Sequence, residues 1–196
     1  DHLSFAAQGL YRRAGAGTGD WGELSLDFAF LDYTFFRHRK GRIGIRGGRV
    51  KNPWGLYNET RDVSFTHPTI FLPLTYFERS RSLLISMDGA QLYADYNTSV
   101  GDFTVRFNYG YIYDNGELLL AIVSDPSVMG SLKPKPSFMT QLRYEILGGE
   151  YVFALSYADI KLRYAGHGAA DPYSGLQVHI YPIMISGQYS GEKFSL

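Results

Sequence analysis

Six arginines fall between positions 42 and 81: Arg42, Arg46, Arg49, Arg61, Arg79 and Arg81. Lys51 joins them, and Asp62, His67, Glu78 and Asp88 are interleaved. Arg106 and Arg143 stand further along, each inside a run that alternates apolar and polar residues. Guanidiniums gathered on one wall make a positive field that favours anions. Facing carboxylates favour cations, and opposed rows of the two orient a dipolar solute. That chemistry selects a solute without making a bond. The plainer reading competes with it residue by residue: such arginines also solvate an inner wall, or pair with Asp62, Glu78 and Asp88.

Bond-making chemistry finds less support. The five histidines, His2, His38, His67, His167 and His179, show no HExxH or other metal-ligand spacing. No GxSxG elbow marks a nucleophile. Ser86 with Asp88, or Ser156 with Asp159, would need a histidine brought from elsewhere. GRIGIRGG has a chance glycine spacing and opens no helix. The chain has no cysteine, which removes disulfides, thiolate catalysis and cysteine zinc sites together. The expectation is a non-enzymatic protein without a cofactor. A hydrolase relying on His167 or His179 is the catalytic alternative.

Composition points the same way. Lys plus Arg and Asp plus Glu are equal at 19 each, so nothing suggests a nucleic-acid partner. The 16 Tyr, 13 Phe and 22 Gly are β-rich, turn-rich usage. The start, DHLSFAAQG, is no signal peptide, which leaves a cytosolic protein or a mature form. No run approaches the length of a transmembrane helix, but barrel strands cross with about 9–11 alternating residues.

The elements that must position the charges are strands. Residues 3–13 alternate, and AGAGTGD follows as a glycine-rich turn. In 23–38, Leu24, Leu26, Phe28 and Phe30 share a face. The phase then shifts to Leu31, Tyr33 and Phe35, which predicts a bulge. Arg42–Tyr57 reads as a strand with Ile43 and Ile45 opposite Arg42 and Arg46, kinked or bulged at Gly47-Gly48. Asn58–Ser80 is an apolar, proline-bearing excursion, and Arg81–Tyr96 is the next strand. Residues 102–113 alternate most clearly, with Phe103, Val105, Phe107, Tyr109 and Tyr111 opposite Thr104, Arg106 and Asn108. Strands at 137–147, 151–164 and 176–189 follow, with 116–136 ambiguous between strand and loop. No helix-period segment of useful length occurs, and the short links imply antiparallel up-and-down order.

Which face is the core decides the class. Tyr11, Tyr96, Tyr113, Tyr144, Tyr157 and Tyr164 lie at or near strand ends, as in the aromatic girdles of a membrane barrel whose apolar face is outward. The opposite faces carry Arg, Asp, Gln, Asn and Ser, as a hydrated lumen would. A soluble barrel or sandwich with tyrosine-rich edges is the alternative. The expected fold is therefore all-β: an antiparallel up-and-down transmembrane β-barrel, or a contiguous part of one, forming a single domain over 1–196. In it the excursion at 58–80 caps a mouth or folds inward as a constriction loop. Pro68 and Pro73 keep it out of a ladder.

RxGRVKNPWGLYNETRDVSFTHPTIFLP, with RSLLISMDGAQLYADY after it, resembles a porin-like family of Gram-negative outer membranes related to the phosphate-selective O and P type porins. The likeness is specific over about 42–96, through Gly48–Lys51, Pro53, Gly55–Asn58, Thr60–Val63, Phe65, Thr66, Pro68, Ile70–Pro73, Asp88, Gly89 and Gln91–Tyr93. It implies a trimeric or monomeric diffusion channel for small hydrophilic solutes in the bacterial outer membrane, among lipid and lipopolysaccharide. The pore-lining set expected from the alternation and the excursion is Arg42, Arg46, Arg49, Lys51, Arg61, Asp62, His67, Glu78, Arg79, Arg81, Asp88, Arg106 and Arg143. His67 stands where the family pattern has arginine, which makes the constriction less basic. Family members look about twice as long, and this chain ends FSL rather than on an aromatic residue, so the span matches an N-terminal part of a longer barrel. A narrow, plugged or structural barrel that conducts nothing is the other outcome.

Overall fold

The structure is a computed structural model that describes residues 2–12, 23–58, 84–113, 130–166 and 172–191. Among the described residues ten strands form: β1 (Leu3–Arg12), β2 (Glu23–His38), β3 (Gly41–Lys51), β4 (Ser86–Thr98), β5 (Gly101–Tyr111), β6 (Gly130–Pro134), β7 (Pro136–Ile146), β8 (Tyr151–Gly166), β9 (Gln177–Ile180) and β10 (Ile183–Tyr189). All pairings are antiparallel, in the order β1-β2-β3-β4-β5-β7-β8-β10, with β6 and β9 also paired to β8. Thus β6 and β7 make one strand interrupted at Lys135, and β9 and β10 make one interrupted at Tyr181-Pro182. The expected strand 176–189 is broken there because Pro182 has no N–H to donate.

The connections alternate in length. Residues 39–40, 99–100 and 147–150 turn the chain at one end of the sheet. At the other end β1, β3, β5 and β8 stop at Arg12, Lys51, Tyr111 and Gly166, and the next strands begin at Glu23, Ser86, Gly130 and Gln177. We refer to these as the turn end and the loop end.

The sheet curls. Phe30 of β2 and Met184 of β10 pack against the same buried cluster as Val50, Met87, Met139 and Ile160, which lies on the concave side. It does not close. Among the described residues β1 and the β9–β10 strand each have a neighbour on one side only, so of the two forms expected, a barrel or a contiguous part of one, the closed form is not seen and the described strands make an open, curled meander. An inward glycine pair helps the curl: Gly89 sits opposite Gly110, and a Cβ on either would strike the backbone of the other strand.

Outside the loop-end cluster, polarity is inverted relative to a water-soluble sheet. The convex face exposes Leu3, Phe5, Leu31, Tyr33, Ile43, Ile45, Leu92, Val105, Phe107, Leu142, Leu155, Ile183 and Ile185. The concave face buries Thr34, Gln91, Asn108, Ser137, Gln141 and Ser156. An aromatic row crosses the convex face in register, Tyr96 opposite Phe103, Phe103 opposite Tyr144, Tyr144 opposite Phe153. Phe103 and Tyr144 stack at 4.5 Å. Tyr109 and Tyr111 lie on the same face nearer the loop end of β5.

Several sequence-level expectations are corrected. The strand Arg42–Tyr57 ends at Lys51, because Pro53 cannot donate to a ladder and Gly55, at φ 61°, turns the chain. Gly47-Gly48 makes no bulge: β3 pairs β4 in unbroken register from Gly41 to Lys51. The phase change in β2 is real but earlier, where β1 slips between Gln8 and Gly9 opposite 26–28. Leu26 therefore stays exposed while Phe28 and Phe30 turn inward beneath cations. Tyr164 is no girdle residue but part of the concave core.

Candidate functional site

The concave face is the candidate site, and its two halves differ. Toward the turn end, alternation puts Arg42 and Arg46 of β3, Tyr93 and Asp95 of β4, Arg106 of β5, and Arg143 and Glu145 of β7 on one surface. Arg42 Nε donates to Asp95 Oδ2 at 2.6 Å. Arg46 Nε donates to Asp32 Oδ2 at 2.9 Å and its Nη1 to Gln91 Oε1 at 2.8 Å. The Arg46 guanidinium also lies 4.8 Å from the Tyr93 ring centroid and 5.0 Å from that of Phe30. Arg143 Nε donates to Glu145 Oε1 at 2.6 Å. Arg106 lies within electrostatic reach of Arg46, Arg143 and Arg42, with Glu145 the opposing charge.

Tyr93 fixes one flank. Its ring lies over Gly44, where any Cβ would clash with it. From there its hydroxyl donates to Asp32 Oδ1 at 2.7 Å and bonds Thr34 Oγ1 at 3.0 Å. Asp32 thus receives a phenol and a guanidinium, which holds the Arg46 side chain against the wall.

Toward the loop end, residues 52–58 leave β3 and cross the concave face. Asn52 N donates to Ile85 O at 2.8 Å. Asn108 Nδ2 donates to Lys51 O at 2.9 Å, and Gln91 Nε2 donates to Asn108 Oδ1 at 2.8 Å. Gly55 N donates to Ser156 Oγ at 3.1 Å, and Gln141 Nε2 donates both to Gly55 O at 2.7 Å and to Ser156 Oγ at 2.9 Å. Leu56 packs on Val152 and Ala154. Tyr57 reaches β10, its hydroxyl donating to Gln188 Oε1 at 3.1 Å. Desolvation raises the Tyr57 phenol above its ordinary pKa, with Arg143 pulling it down. One short segment therefore straps β3 to β10 across the trough. Beneath it Trp54 joins Val50, Met87, Ile112, Met139, Ile160 and Leu162.

The structure gathers Arg42, Arg46, Arg106 and Arg143, as alternation predicted. It separates Arg49 and Asp88 from them. These two are directly opposed in β3 and β4, joined by a bidentate pair at 2.6 and 2.9 Å. Unbroken register puts them on the convex face with Ile45 and Leu92, opposite the face that carries Arg42, Arg46 and Arg106. Lys51 ends β3 over the Phe28 ring at 5.0 Å, 3.4 Å from Asp27. Arg61, Asp62, His67, Glu78, Arg79 and Arg81 lie outside the described residues, as does the constriction-loop candidate 58–80 except for Asn58. Asn58 is buried and donates to Asn52 O and Leu84 O.

Sequence reasoning missed Asp32, Asp95 and Glu145 as partners of the cluster, although their parity opposite the apolar positions would have placed them. It also missed that the inward segment begins at Asn52. Pro53 followed by Gly55 was the available signal.

No family model and no solved structure matches the chain. An uncharacterized protein of Aquifex aeolicus (strain VF5) is 39% identical over 64 residues, which is 33% of this chain and 13% of that protein. The match thus spans a small part of that relative's length.

Proposed function

We propose that this chain is a contiguous part of an outer-membrane β-barrel that lets small hydrophilic solutes or ions diffuse passively, with the concave face as lumen wall. The observation that carries the reading is the inverted polarity. A contiguous exposed apolar face of this extent is unlike a monomeric soluble protein and needs a cover. Lipid supplies one when the sheet is closed, because a barrel satisfies every backbone group internally. The unpaired edges of β1 and β9–β10 call for further strands to complete it. Alternating short and long connections are the habit of such barrels. The aromatic row fits as well: Phe103 and Tyr111 are about 27 Å apart along the strand, or about 20 Å once tilted by about 40°, near the apolar band of about 25 Å.

In this reading Arg42, Arg46, Arg106 and Arg143 set the field of the passage, and it favours anions around Arg106. The strap 52–58 narrows the passage from the loop end. Planar-bilayer conductance of the full-length protein is the test: discrete steps with an anion preference are expected, and no steps in any salt would sink the channel. One observation favours a second reading. The loop-end half of the trough is filled by Trp54, Met87, Ile112 and Met139 rather than lined by polar groups. A plugged barrel that binds or assembles with a partner would show that filling too. It would insert in bilayers, migrate heat-modifiably on gels, and conduct nothing.

A further inference from the structure

We propose that the convex rim where the start of β7 meets β8 and β9 at the loop end holds a phosphorylated lipid headgroup; the inference rests on the membrane-barrel reading above. Where β6 gives way to β7, a cavity of about 360 Å³ opens among Tyr109, Lys135, Phe138, Lys161, Gln177 and His179. Strand pairing concentrates cations there. Lys161 lies opposite His179, and Lys133 lies opposite Arg163 in the next row. Lys161 Nζ pairs with Asp159 at 2.8 Å. Among the described residues that is the one carboxylate ion-paired in this group. Lysine binds phosphate as a point charge and arginine as a fork.

A lipid fits better than a soluble anion because of what adjoins the cavity. Phe138 lines it, and it also stacks on Phe107 at 5.7 Å and tilts against Tyr157 at 5.8 Å. These rings lead onto the exposed band of Leu142, Leu155 and Ile183. A phosphate seated among the lysines would lay its acyl chains along that band, with Tyr109 at the level of the headgroups. The interruption at Lys135 is what makes the seat: its N–H bonds Lys161 O at 3.1 Å, which draws β6 onto β8 and leaves β7 ending at Pro136.

The test uses the full-length protein in phosphatidylcholine nanodiscs doped with diphosphoryl lipid A, with retained lipid counted by native mass spectrometry. The variant Lys135→Ala with Lys161→Ala is expected to retain lipid A at least roughly fivefold less well, since each cation near a membrane surface is worth about that factor. Lys133→Gln alone is the milder variant and keeps the fold in play if the double variant does not refold; its expected loss is roughly twofold. Insertion with unchanged retention in both variants overturns this inference alone. Equal retention of dephosphorylated lipid A overturns it too, as does displacement of lipid A by equimolar inorganic phosphate. A wild-type protein that does not insert overturns the barrel reading and this inference with it.

Discussion

The two halves of the concave face are built from the same strands and the same alternation, yet they do opposite things. At the loop end the inward positions of β4, β7 and β8 are Met87, Met139, Ile160 and Leu162, and the strap closes over them with Trp54. At the turn end the inward positions of the neighbouring rows are Arg42, Asp95, Arg106 and Arg143. Packing holds the first half. In the second, charge pairs are arrayed on a wall that the strap leaves uncovered. A sheet whose outside is apolar still needs something to hold its curl from within, and here that task is confined to one end. The other end is released to carry charge.

Substitutions separate the halves. Ile160→Asp puts an unpaired charge into the packed half, a cost above about 4 kcal/mol, and on the proposed barrel reading is expected to abolish the folded, heat-modifiable band. A normally migrating band would mean that the loop-end half is no core. Trp54→Ala is expected to cost about 3–5 kcal/mol, read as a lower denaturant midpoint, and to raise conductance by opening the trough. Gln141→Leu strips Gly55 O of the Gln141 amide and leaves Ser156 Oγ with Gly55 N as donor; it is expected to cost about 1–3 kcal/mol. Arg106→Ala acts on the other half: at about 10 Å a unit charge is worth about 0.4–1.7 kcal/mol between water-like and surface-like screening. The anion-to-cation permeability ratio, from the reversal potential in a salt gradient, is therefore expected to fall roughly two- to seventeenfold. If it instead costs as much stability as Trp54→Ala, the division between the halves fails. Arg42→Ala removes a half-exposed pair with Asp95 and is expected to change stability by no more than about 1 kcal/mol.

Much of this was legible in the sequence for a simple reason. A period of two is strict, so one well-read alternation such as 102–113 places every side chain of its strand. Arg46, Arg106 and Arg143 were assigned to one face on that basis and lie there. Where the reading failed, a single residue had changed the count. An assumed kink at Gly47-Gly48 let Arg49 be placed in the pore-lining set with Arg46, whereas unbroken register puts it on the other face, and the slip opposite 26–28 moved Phe28 and Phe30. Parity errors propagate through a strand, because a shift of one residue turns the rest of it over. The strap was illegible for another reason. Its anchors, Gln141, Ser156 and Gln188, lie on strands far along the chain, and no local pattern announces a bond between Gly55 and Ser156.

That separation also has a consequence in time. Adjacent strands of the meander pair with near neighbours, and the turns at 39–40 and 99–100 close with little loop entropy. Gly55 and Ser156 are 101 residues apart, and Tyr57 and Gln188 are 131 apart. The strap has no seat until β7, β8 and β10 are in place, so it docks last and marks a completed sheet. Run in reverse, its release is the first step of unfolding. The Gly55 amide should then exchange with solvent well before the ladder amides of β4 and β5.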